Sequence, residues 1–403
     1  MSLSASKPKV RFKEFEEDWK PVQLSELLSP SKKKNKNSKF ARNDVLSVTQ
    51  EYGLVNQIEY LGRSFAGKDL TNYGVAEVGD IVYTKSPLKT APYGIIKENT
   101  FKDGIVSTLY AVYKVREKVD GGFVSRYFEL TDNLNRYLRP LVHKGAKNDM
   151  KISAERVLID QIFTPSIDEQ LKIRDFFQSF DKYIGLLEKR CELLHQRRKS
   201  IVQKVFKKEV RFKDIKGNEY PCWSPNKLEM FLKESRCTGT KGDKAKKLTV
   251  KLWGKGVVEK TKTHEGSENT QYYRRRAGQF IYSKLDFLNC AFGVIPDKLD
   301  NFESTVDLPC FDIKKELNPL FLLEYVKRQE FYKKFGSLAD GGRKAKRVHA
   351  DTFLQFVIHV PALEEQNKIV NLFQVLDRQL ASEEKKLSMM RTLKKSFLQQ
   401  MFV

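Results

Sequence analysis

The segment Gly62–Asp69 is the first candidate for chemistry, because it carries the glycines and the lysine of a phosphate-binding P-loop. A P-loop needs a serine or threonine directly after the lysine, whose hydroxyl binds Mg²⁺. Asp69 follows Lys68 and supplies no hydroxyl, and the second half of the chain has no matching glycine pattern. The sequence therefore predicts an ordinary loop here and not a nucleotide site.

The run Asn318-Pro319-Leu320-Phe321 is the second candidate, since it resembles the Asn-Pro-Pro-Tyr/Phe element of DNA amino-methyltransferases. The second proline of that element is missing, and the chain has no Phe-x-Gly-x-Gly cofactor loop. Asn318 is better explained as the N-cap of a helix with Pro319 at the first helical position.

The cysteines and histidines form no metal-binding pattern. The chain has five of each, with no Cys-x-x-Cys, no His-Glu-x-x-His and no mixed cluster. A paired-acid nuclease constellation and a serine nucleophile elbow are also missing from the sequence. Widely spaced cysteines in odd number are typical of reduced thiols in a cytoplasmic protein. These patterns predict a binding protein rather than a catalyst.

The net charge indicates the class of partner. Lys and Arg number 74 against 51 Asp and Glu, which gives a formal charge of +23 and a pI near 9.6. An excess of this size indicates a polyanionic partner, most often nucleic acid. The basic residues are scattered and do not line one face of an amphipathic helix, which argues against a membrane surface. The sequence shows neither an apolar run long enough to span a bilayer nor the apolar core of a signal peptide.

Basic residues beside glycines, polar residues or aromatic side chains are the candidates for nucleic-acid contacts. They lie in a polar loop, at the ends of predicted strands and in two glycine-containing loops. Only side chains that reach base edges specify a sequence, and phosphate contacts or purely local roles are the alternative for each residue. Of the set, Arg343 and Lys344 are expected to reach a groove, and Asn148 to pair with an adenine. We predict contacts from Lys33, Lys34, Lys36, Lys85, Lys147, Asn148, Tyr273, Arg274, Arg275, Arg343, Lys344 and Arg347.

Strand and helix signals recur in both halves of the chain. The run Gly79–Lys85 alternates apolar and polar residues after a glycine, and Gly278–Lys284 repeats it. A helix rich in Tyr, Phe and Leu is predicted near residues 123–142, and its counterpart near residues 319–335. Each half is therefore expected to be an α+β domain with a strand-rich body.

The longest repeat in the chain organises these elements. Residues 165–206 and 361–402 align without a gap at an offset of 196, and 14 of the 42 aligned positions are identical. A repeat at such a long period indicates a duplicated domain plus helix. Each copy is predicted to be one long helix, because it has no internal proline and Ser166 with Glu169 fits a capping box.

Apolar residues at alternating steps of four and three run along both predicted helices. That spacing is typical of a coiled-coil seam, and roughly 40 residues at ~1.5 Å each make a rod of about 60 Å. Arg198, Glu383 and Lys394 interrupt the seam and could fix its register or orientation. Packing of each helix only on its own domain is the alternative. The predicted packing residues are Ile173, Phe177, Phe180, Ile184, Leu187, Leu194, Ile369, Phe373, Leu376, Leu380 and Leu387.

We therefore predict an α+β fold of two tandem repeated domains joined by two long helices that pack as an antiparallel coiled coil. The first domain spans residues 1–164 and its helix 165–207. The second domain spans residues 208–360 and its helix 361–403.

This organisation resembles the specificity subunit of a type I restriction-modification enzyme. In that family, two variable α+β domains are each followed by Pro-x-x-x-Glu-Gln-x-x-Ile at the start of a long helix. The motif begins here at Pro165 and again at Pro361, and the resemblance covers nearly the whole chain. The family often has Gly-Ser/Thr in the loop before each helix, and Ala146 and Gly342 depart from that pattern.

The resemblance implies that each domain is a target-recognition domain for one half of a bipartite, asymmetric site in double-stranded DNA. The helices would set the spacing and dock two modification subunits, and restriction (translocase/nuclease) subunits would join that core. S-adenosylmethionine, ATP and Mg are expected on those partners, so this chain would carry no cofactor, metal or catalytic residue. Deleting or adding four residues near Leu187 would then change the spacing and leave the half-site sequences unchanged.

Two other classes of function remain open from the sequence. The chain could be a self-contained DNA methyltransferase or nuclease, or a basic nucleic-acid-binding scaffold. Catalysis by the purified chain alone would support the first. Equal binding of bipartite duplexes, random DNA and RNA would support the second.

Overall fold

The first half of the chain folds into short strands and helices that lead into one long helix. The computed structural model describes residues 7–87, 90–144, 150–242, 244–261, 267–337 and 347–403. The strands of this half are β1 (Lys20–Gln23), β2 (Leu28–Pro30), β3 (Leu46–Thr49), β4 (Gly53–Asn56), β5 (Gly74–Ala76), β6 (Ile81–Thr84), β7 (Ile96–Glu98), β8 (Gly104–Val106), β9 (Tyr110–Val115), β10 (His143–Lys144), β11 (Met150–Lys151) and β12 (Gln161–Thr164). Its helices are α1 (Leu24–Leu27), α2 (Gln57–Leu61), α3 (Gly121–Tyr127), α4 (Thr131–Leu138) and the long helix α5 (Ile167–Phe206).

The second half repeats this plan. Its strands are β13 (Ser224–Lys227), β14 (Leu232–Glu234), β15 (Thr238–Lys241), β16 (Leu248–Val250), β17 (Val257–Glu259), β18 (Gln271–Arg274), β19 (Phe280–Tyr282), β20 (Phe292–Val294), β21 (Glu303–Ser304), β22 (Cys310–Ile313) and β23 (Val357–Val360). Its helices are α6 (Pro319–Val326), α7 (Gln329–Gly336), α8 (Ala350–Leu354) and the long helix α9 (Leu363–Met401).

A four-stranded antiparallel sheet lies at the centre of each half. Its strand order is β2-β9-β6-β7 in the first half and β14-β22-β19-β20 in the second. In each half the first strand also pairs with the last strand before the long helix, β1 with β12 and β13 with β23. Because the orders correspond, Lys85 after β6 and Lys284 after β19 occupy equivalent places.

Each single helix predicted between the sheet and the long helix is in fact two helices. The prediction was wrong at Leu130, between α3 and α4, and at Arg328, between α6 and α7, where the backbone is extended. The first break follows Phe128, whose side chain is 1% exposed. At the second, the Arg328 guanidinium lies 3.9 Å from the ring centroid of Tyr325. Tertiary packing of these side chains therefore overrides the continuous helical pattern.

The chain divides into two compact units, and the division cuts both long helices. Unit 1 contains Met1–Arg190 and Glu383–Val403, and unit 2 contains Cys191–Ser382. Each unit therefore holds one strand-rich body, the start of one long helix and the end of the other.

An aromatic socket in each unit receives the end of a long helix. In unit 1 the ring of Phe402 contacts those of Trp19, Phe123, Tyr127 and Phe177. In unit 2 the ring of Phe206, its counterpart in the repeat, contacts those of Trp223, Phe321, Tyr325 and Phe373. The end of one helix thus lies against the start of the other, so the two run antiparallel within each unit.

The residues predicted to pack along the helices avoid solvent. Nearby apolar residues off the predicted seam, such as Leu186 and Leu193, are 59% and 55% exposed. Ile173, Phe177, Leu187, Ile369, Phe373 and Leu376 are buried, and Phe180, Ile184, Leu194, Leu380 and Leu387 are half-buried.

Two of the charged residues that interrupt the seam join the other helix to the strand-rich body. In unit 1 the Lys394 ammonium lies 2.6 Å from a carboxylate oxygen of Asp181 and 2.6 Å from one of Glu129. In unit 2 Arg198 makes the equivalent ion pairs with Asp377, at 2.6 Å, and Glu324, at 3.1 Å. The third, Glu383, lies 3.4 Å from Arg190 on the facing helix. The role of these charges in register stays a prediction, which these contacts support.

The Glu of the repeated motif fixes the start of each long helix to the segment that precedes the strand-rich body of the same unit. Glu169 is 1% exposed and accepts hydrogen bonds from Arg11 Nε, at 2.8 Å, and Nη2, at 2.7 Å. Glu365 accepts the equivalent pair from Arg211 at 3.1 and 2.8 Å. The capping box predicted at Ser166 assigned the Glu169 carboxylate to the helix backbone, and the structure assigns it to Arg11.

The Gln of the motif connects the helix start to the turn before the short helices. The Gln170 side chain accepts a hydrogen bond from the Asp120 N–H, at 3.0 Å, and donates one to the Pro165 carbonyl, at 3.0 Å. Gln366 accepts from the Asn318 N–H at 2.8 Å and donates to the carbonyl of the second motif's proline at 3.0 Å. The motif is therefore structural, and it orients each body on its helix.

Candidate nucleic-acid interface

The basic loop after β2 presents lysines to solvent from a fixed backbone. Asn35 is 3% exposed, and its side chain accepts from the Phe40 N–H, at 3.0 Å, and donates to the Phe40 carbonyl, at 2.9 Å. The predicted contacts Lys33, Lys34 and Lys36 are all exposed around it.

One of these lysines is engaged within unit 1. Lys33 and Lys114 both pair with Glu77, and their hydrogen bonds lower the pKa of that carboxyl to about 2. Lys33 is 56% exposed along its side chain despite this pair. If Lys33 moves from Glu77 to a phosphate, Glu77 keeps Lys114 as its partner.

Unit 1 brings the basic loop, the end of β6 and the segment before β12 together. Hydrogen bonds from its own backbone and from Ser153 lower the pKa of Glu155, and the charges of Lys32 and Lys85 add to the effect. Ser31, the residue before Lys32, donates its N–H to the Val112 carbonyl at 2.8 Å, and Lys85 donates its own to the Leu109 carbonyl at 2.9 Å, so both lysines lie beside the start of β9. The predicted contacts Lys147 and Asn148 lie outside the described residues.

Unit 2 also presents basic residues close together. Arg274 is exposed at the end of β18, and the predicted Tyr273 is half-buried beside it. Arg236 is exposed and pairs with Glu234 at 2.9 Å, and this contact, with smaller effects from Asp351 and Tyr273, raises its pKa. Sequence reasoning missed Arg236. The signal was its position two residues after β14, which matches that of Lys32 after β2.

Arg275 was predicted to contact nucleic acid, and its placement corrects that prediction. The residue is 2% exposed. Its guanidinium donates to the Ser304 hydroxyl, at 2.8 Å, and to the Ser235 carbonyl, at 2.8 Å. Burial lowers the pKa of Arg275, but hydrogen bonds to these acceptors stabilise the charged guanidinium. Arg275 supports the strands from inside, and we remove it from the proposed contacts.

The end of β19 lies beside the last predicted basic residue. Val348 donates its N–H to the Lys284 carbonyl at 3.3 Å, and its own carbonyl accepts from the Tyr282 hydroxyl at 3.0 Å. Arg347, the residue before it, is exposed. The predicted contacts Arg343 and Lys344 lie outside the described residues.

The segments considered for catalysis have structural roles. Gly62 ends α2 with φ +73°, and Asp69 accepts hydrogen bonds from the N–H and hydroxyl of Thr71 at 2.8 and 2.6 Å. Asn318 caps α6 as predicted, since its side chain accepts from the N–H groups of Leu320 and Phe321.

The described residues offer no metal site, and two of the thiols are unreactive. No group of His, Cys, Asp and Glu among them is arranged to hold a metal ion. Burial raises the pKa of Cys290 to about 11 and that of Cys310 to about 12, so both thiols are protonated at neutral pH. No helix in the described ranges is both long and apolar enough to cross a membrane.

Comparisons with known proteins bear on the part of the chain that holds Arg236, Arg274 and Arg347. Residues 204–389 match the family model described as type I restriction modification DNA specificity domain. The whole chain is similar in structure to the type I restriction-modification system S subunit from M. genitalium. The sequences are 12% identical, 98% of this chain and 99% of that chain are covered, and the TM-score is 0.58.

A second similar chain belongs to a structure described as showing complex assembly and conformational transition of the type I R-M system. It is 14% identical, 94% of this chain and 96% of that chain are covered, and the TM-score is 0.50. At these identities the likeness shows the fold, and it confirms the predicted α+β class. The family match confirms the resemblance drawn from the sequence over residues 204–389.

Proposed function

We propose that this chain, whose residues 204–389 match the family model described as type I restriction modification DNA specificity domain, is the DNA-recognition subunit of a type I restriction-modification complex. In this proposal each unit reads one half of a bipartite, asymmetric site in double-stranded DNA. The observation that carries it is a group of neighbouring basic residues in each unit, with Lys32 and Lys85 beside the start of β9 in unit 1 and Arg236 and Arg274 on paired segments in unit 2. Bases would be read beside these residues because positive charge holds the phosphates while neighbouring side chains enter a groove.

In the same proposal the long helices set the distance between the two readers. A helix of 40 residues spans roughly 60 Å, and antiparallel contacts in each unit stiffen the pair. Fixed helix length then fixes half-site spacing, as dimer geometry does in other DNA-binding proteins. The proposed domain limits, residues 1–164 and 208–360, place one reader before each helix.

Exposed apolar side chains on the long helices provide a docking surface for the modification subunits. In unit 1, Tyr183 and Leu186 of α5 are 48% and 59% exposed, and Met389 and Leu393 of α9 are 57% and 40% exposed. Exposed apolar side chains that form one patch mark a protein interface, and these four residues are the proposed patch. Two modification subunits would bind here, and restriction subunits would join them. S-adenosylmethionine, ATP and Mg would act on those subunits, and this chain would contribute recognition without catalysis.

The proposal is tested by expressing the full chain with its modification partner in cells that lack other methyltransferases. Methylome sequencing should show methylated adenines in one motif made of two defined half-sites and an undefined spacer of fixed length. A single continuous motif, or methylation at unrelated sequences, would contradict the proposal.

The rival enzymatic reading is tested with the purified chain. Incubated alone with duplex DNA, S-adenosylmethionine and Mg²⁺, the chain should neither transfer methyl groups nor cut. Either activity would favour a self-contained methyltransferase or nuclease. Duplexes carrying the methylome motif should also compete better than random DNA or RNA, and equal competition would favour a basic scaffold.

A further inference from the structure

Trp253 is an exposed aromatic residue that the contacts discussed above do not include. Its side chain is 60% exposed, whereas Trp19 and Trp223 are 1% and 5% exposed. A tryptophan in solvent exposes a large apolar surface, and tryptophan is the residue most enriched among the anchors of binding interfaces. The exposure of Trp253 therefore makes it a candidate contact for a binding partner.

Hydrogen bonds hold the backbone of Trp253 in place. The residue lies in the loop between β16 and β17 with φ +61°, a conformation that residues other than glycine seldom adopt. Its N–H donates to the Asn289 carbonyl at 2.8 Å, and the Gly254 N–H donates to the Cys290 carbonyl at 2.7 Å. Strained backbone of this kind persists where the surroundings impose it, and it is concentrated at functional sites.

The side chains beside the indole combine apolar surface with positive charge. Lys251 and Lys255 are exposed on either side of it in the same loop. Leu252 is 39% exposed, and Leu288, next to the Asn289 that accepts from Trp253, is 39% exposed. Lysines beside an apolar patch suit a duplex, because anionic phosphates border its grooves and the thymine methyl groups within them offer apolar contacts.

The loop also adjoins the basic residues already described. The turn that receives Trp253 starts at Lys284, whose carbonyl accepts from Val348, the neighbour of Arg347. Leu285, directly after that lysine, is 46% exposed. The turn that holds the Trp253 backbone therefore begins beside Val348, the residue after Arg347.

We propose that Trp253 is a DNA contact of the second recognition unit. The indole packs against sugars or base edges in a groove, and Lys251 and Lys255 bind the phosphates on either side. The inference rests on the proposed function, because it assigns a further contact to the same DNA-reading face. Duplex DNA is favoured over a protein partner by the lysines on both sides of the indole and by the adjoining Arg347.

The three tryptophans provide a direct assay, since only Trp253 is accessible to a quencher. Acrylamide, which is uncharged, should quench one class of emission strongly in the full chain, and Trp253→Phe should remove that class. A duplex carrying the motif found by methylome sequencing should protect the accessible class from quenching. Random duplex at the same occupancy should protect it less.

Binding affinity provides an independent measurement. Trp253→Ala should weaken binding of the motif duplex by roughly 10-fold or more, the size typical of an aromatic contact to nucleic acid, and Trp253→Phe should retain most of it. Met230→Ala is the matched control, because Met230 is 55% exposed and lies at the opposite end of β14 from Arg236. Circular dichroism and Tm of each variant show whether its fold is intact.

The outcomes separate this inference from the function it rests on. If the motif duplex binds selectively while Trp253 stays equally quenchable and Trp253→Ala binds normally, the inference is wrong and the proposed function stands. If no duplex binds selectively, the proposed function itself fails. If modification subunits protect Trp253 and DNA does not, the patch is a protein interface and the DNA assignment is overturned.

Discussion

At the scale of single residues, Glu98 makes the stability of unit 1 depend on pH near neutrality. Its carboxyl lines a polar cavity of about 760 Å³ together with Arg126 and Arg174. Burial, with a smaller effect from Asp120, raises the pKa of Glu98 from 4.5 to about 7. A carboxyl with a raised pKa is ionised more easily in the unfolded chain, so it opposes folding once the pH exceeds its ordinary value.

Glu98→Gln should therefore stabilise the protein at high pH. Between pH 4.5 and 7 the folded state binds more protons than the unfolded state, so the wild type loses stability as the pH rises through this window. We expect the variant to unfold with a free energy higher by roughly 1–3 kcal/mol at pH 8, and equal below pH 4. Urea denaturation between pH 4 and 8 measures the difference.

Glu129→Gln is the control of opposite sign in the same cavity. Burial alone would raise the pKa of Glu129, but the charges of Lys97, Arg126 and Lys394 outweigh it and bring the pKa to about 2. Ionised Glu129 therefore contributes stability above pH 4.5, which is lost as the pH falls toward 2. The amide variant should be less stable than the wild type at pH 7. Equal effects of the two substitutions would contradict this account.

Neighbouring arginines in unit 2 should separate DNA binding from folding. Arg275→Ala leaves buried carbonyl acceptors without a donor, so we expect a loss of roughly 2–4 kcal/mol in unfolding free energy. Arg274→Ala should leave Tm unchanged, weaken DNA binding and reduce the salt dependence of log Kd by about one counterion. Thermal denaturation and fluorescence anisotropy at several salt concentrations measure both. A stable Arg275→Ala would contradict the structural role.

These two arginines show how far residue types alone can predict a site. The run of three arginines indicated a basic contact, and Arg274 is indeed exposed. Nothing local distinguishes Arg275, because the Ser304 and Ser235 acceptors that bury it are 29 and 40 residues away in the sequence. Arg236 became a candidate only when strand positions in the two halves could be compared.

At the scale of elements, the charged residues of the seam are testable as links between a helix and a strand-rich body. Lys394→Met keeps an unbranched chain at the seam but leaves Glu129 and Asp181 without this cation. Because Asp181 is 39% exposed, we expect a loss of roughly 1–3 kcal/mol, less than for a fully buried pair. Urea denaturation measures it.

A double-mutant cycle supplies the control for this link. Asp181→Asn alone, and together with Lys394→Met, should give a coupling energy because the two side chains share one ion pair. Strictly additive losses would show that the ion pair between Lys394 and Asp181 does not contribute to stability.

The long helices could be predicted well, and the shorter ones less so. A proline-free run with apolar residues at steps of three and four predicted helices at residues 165–206 and 361–402, and α5 and α9 occupy Ile167–Phe206 and Leu363–Met401. The breaks at Leu130 and Arg328 were missed, because they depend on aromatic packing that joins distant parts of the chain.

At the scale of the whole molecule, the spacer proposal predicts that the distance between the half-sites can change while their sequences stay the same. Glu188 pairs with Arg391 and Arg190 with Glu383, so these parts of α5 and α9 face each other in unit 1. Removing seven residues around Leu187 from α5 and seven around Leu387 from α9 keeps the apolar repeat in phase. It shortens each helix by about 10 Å, or roughly three base pairs of DNA. Methylome sequencing should show the same half-sites with a shorter spacer.

Deleting the seven residues from α5 alone is the matched comparison. The facing helices then differ by one heptad, so the aromatic sockets cannot both be filled and Tm should fall. Altered half-site sequences in the doubly shortened chain would contradict the spacer proposal.

The duplication itself was visible in the sequence, because an offset of 196 aligns both helices. The division into units was not visible, since Phe206 and Phe402 are single aromatic residues at the end of a long pattern. Each socket is formed by aromatic rings from segments that are far apart in the sequence, such as Trp19 and Phe402. The bases that each face reads also depend on loop conformation and DNA shape, which residue types alone do not encode.

The two equivalent sockets have a consequence for how such a chain could arise. A gene that ends after Phe206 would encode one recognition domain and one long helix. The aromatic socket of that domain would be empty, and Phe206 at the end of the helix would have no socket to pack in. Two copies of that product could exchange their ends, because Phe206 and Phe402 meet corresponding rings. The exchanged pair would have twofold symmetry and would read a palindrome, and joining its genes end to end would free the two readers to diverge. The asymmetric target would then be the product of a gene fusion.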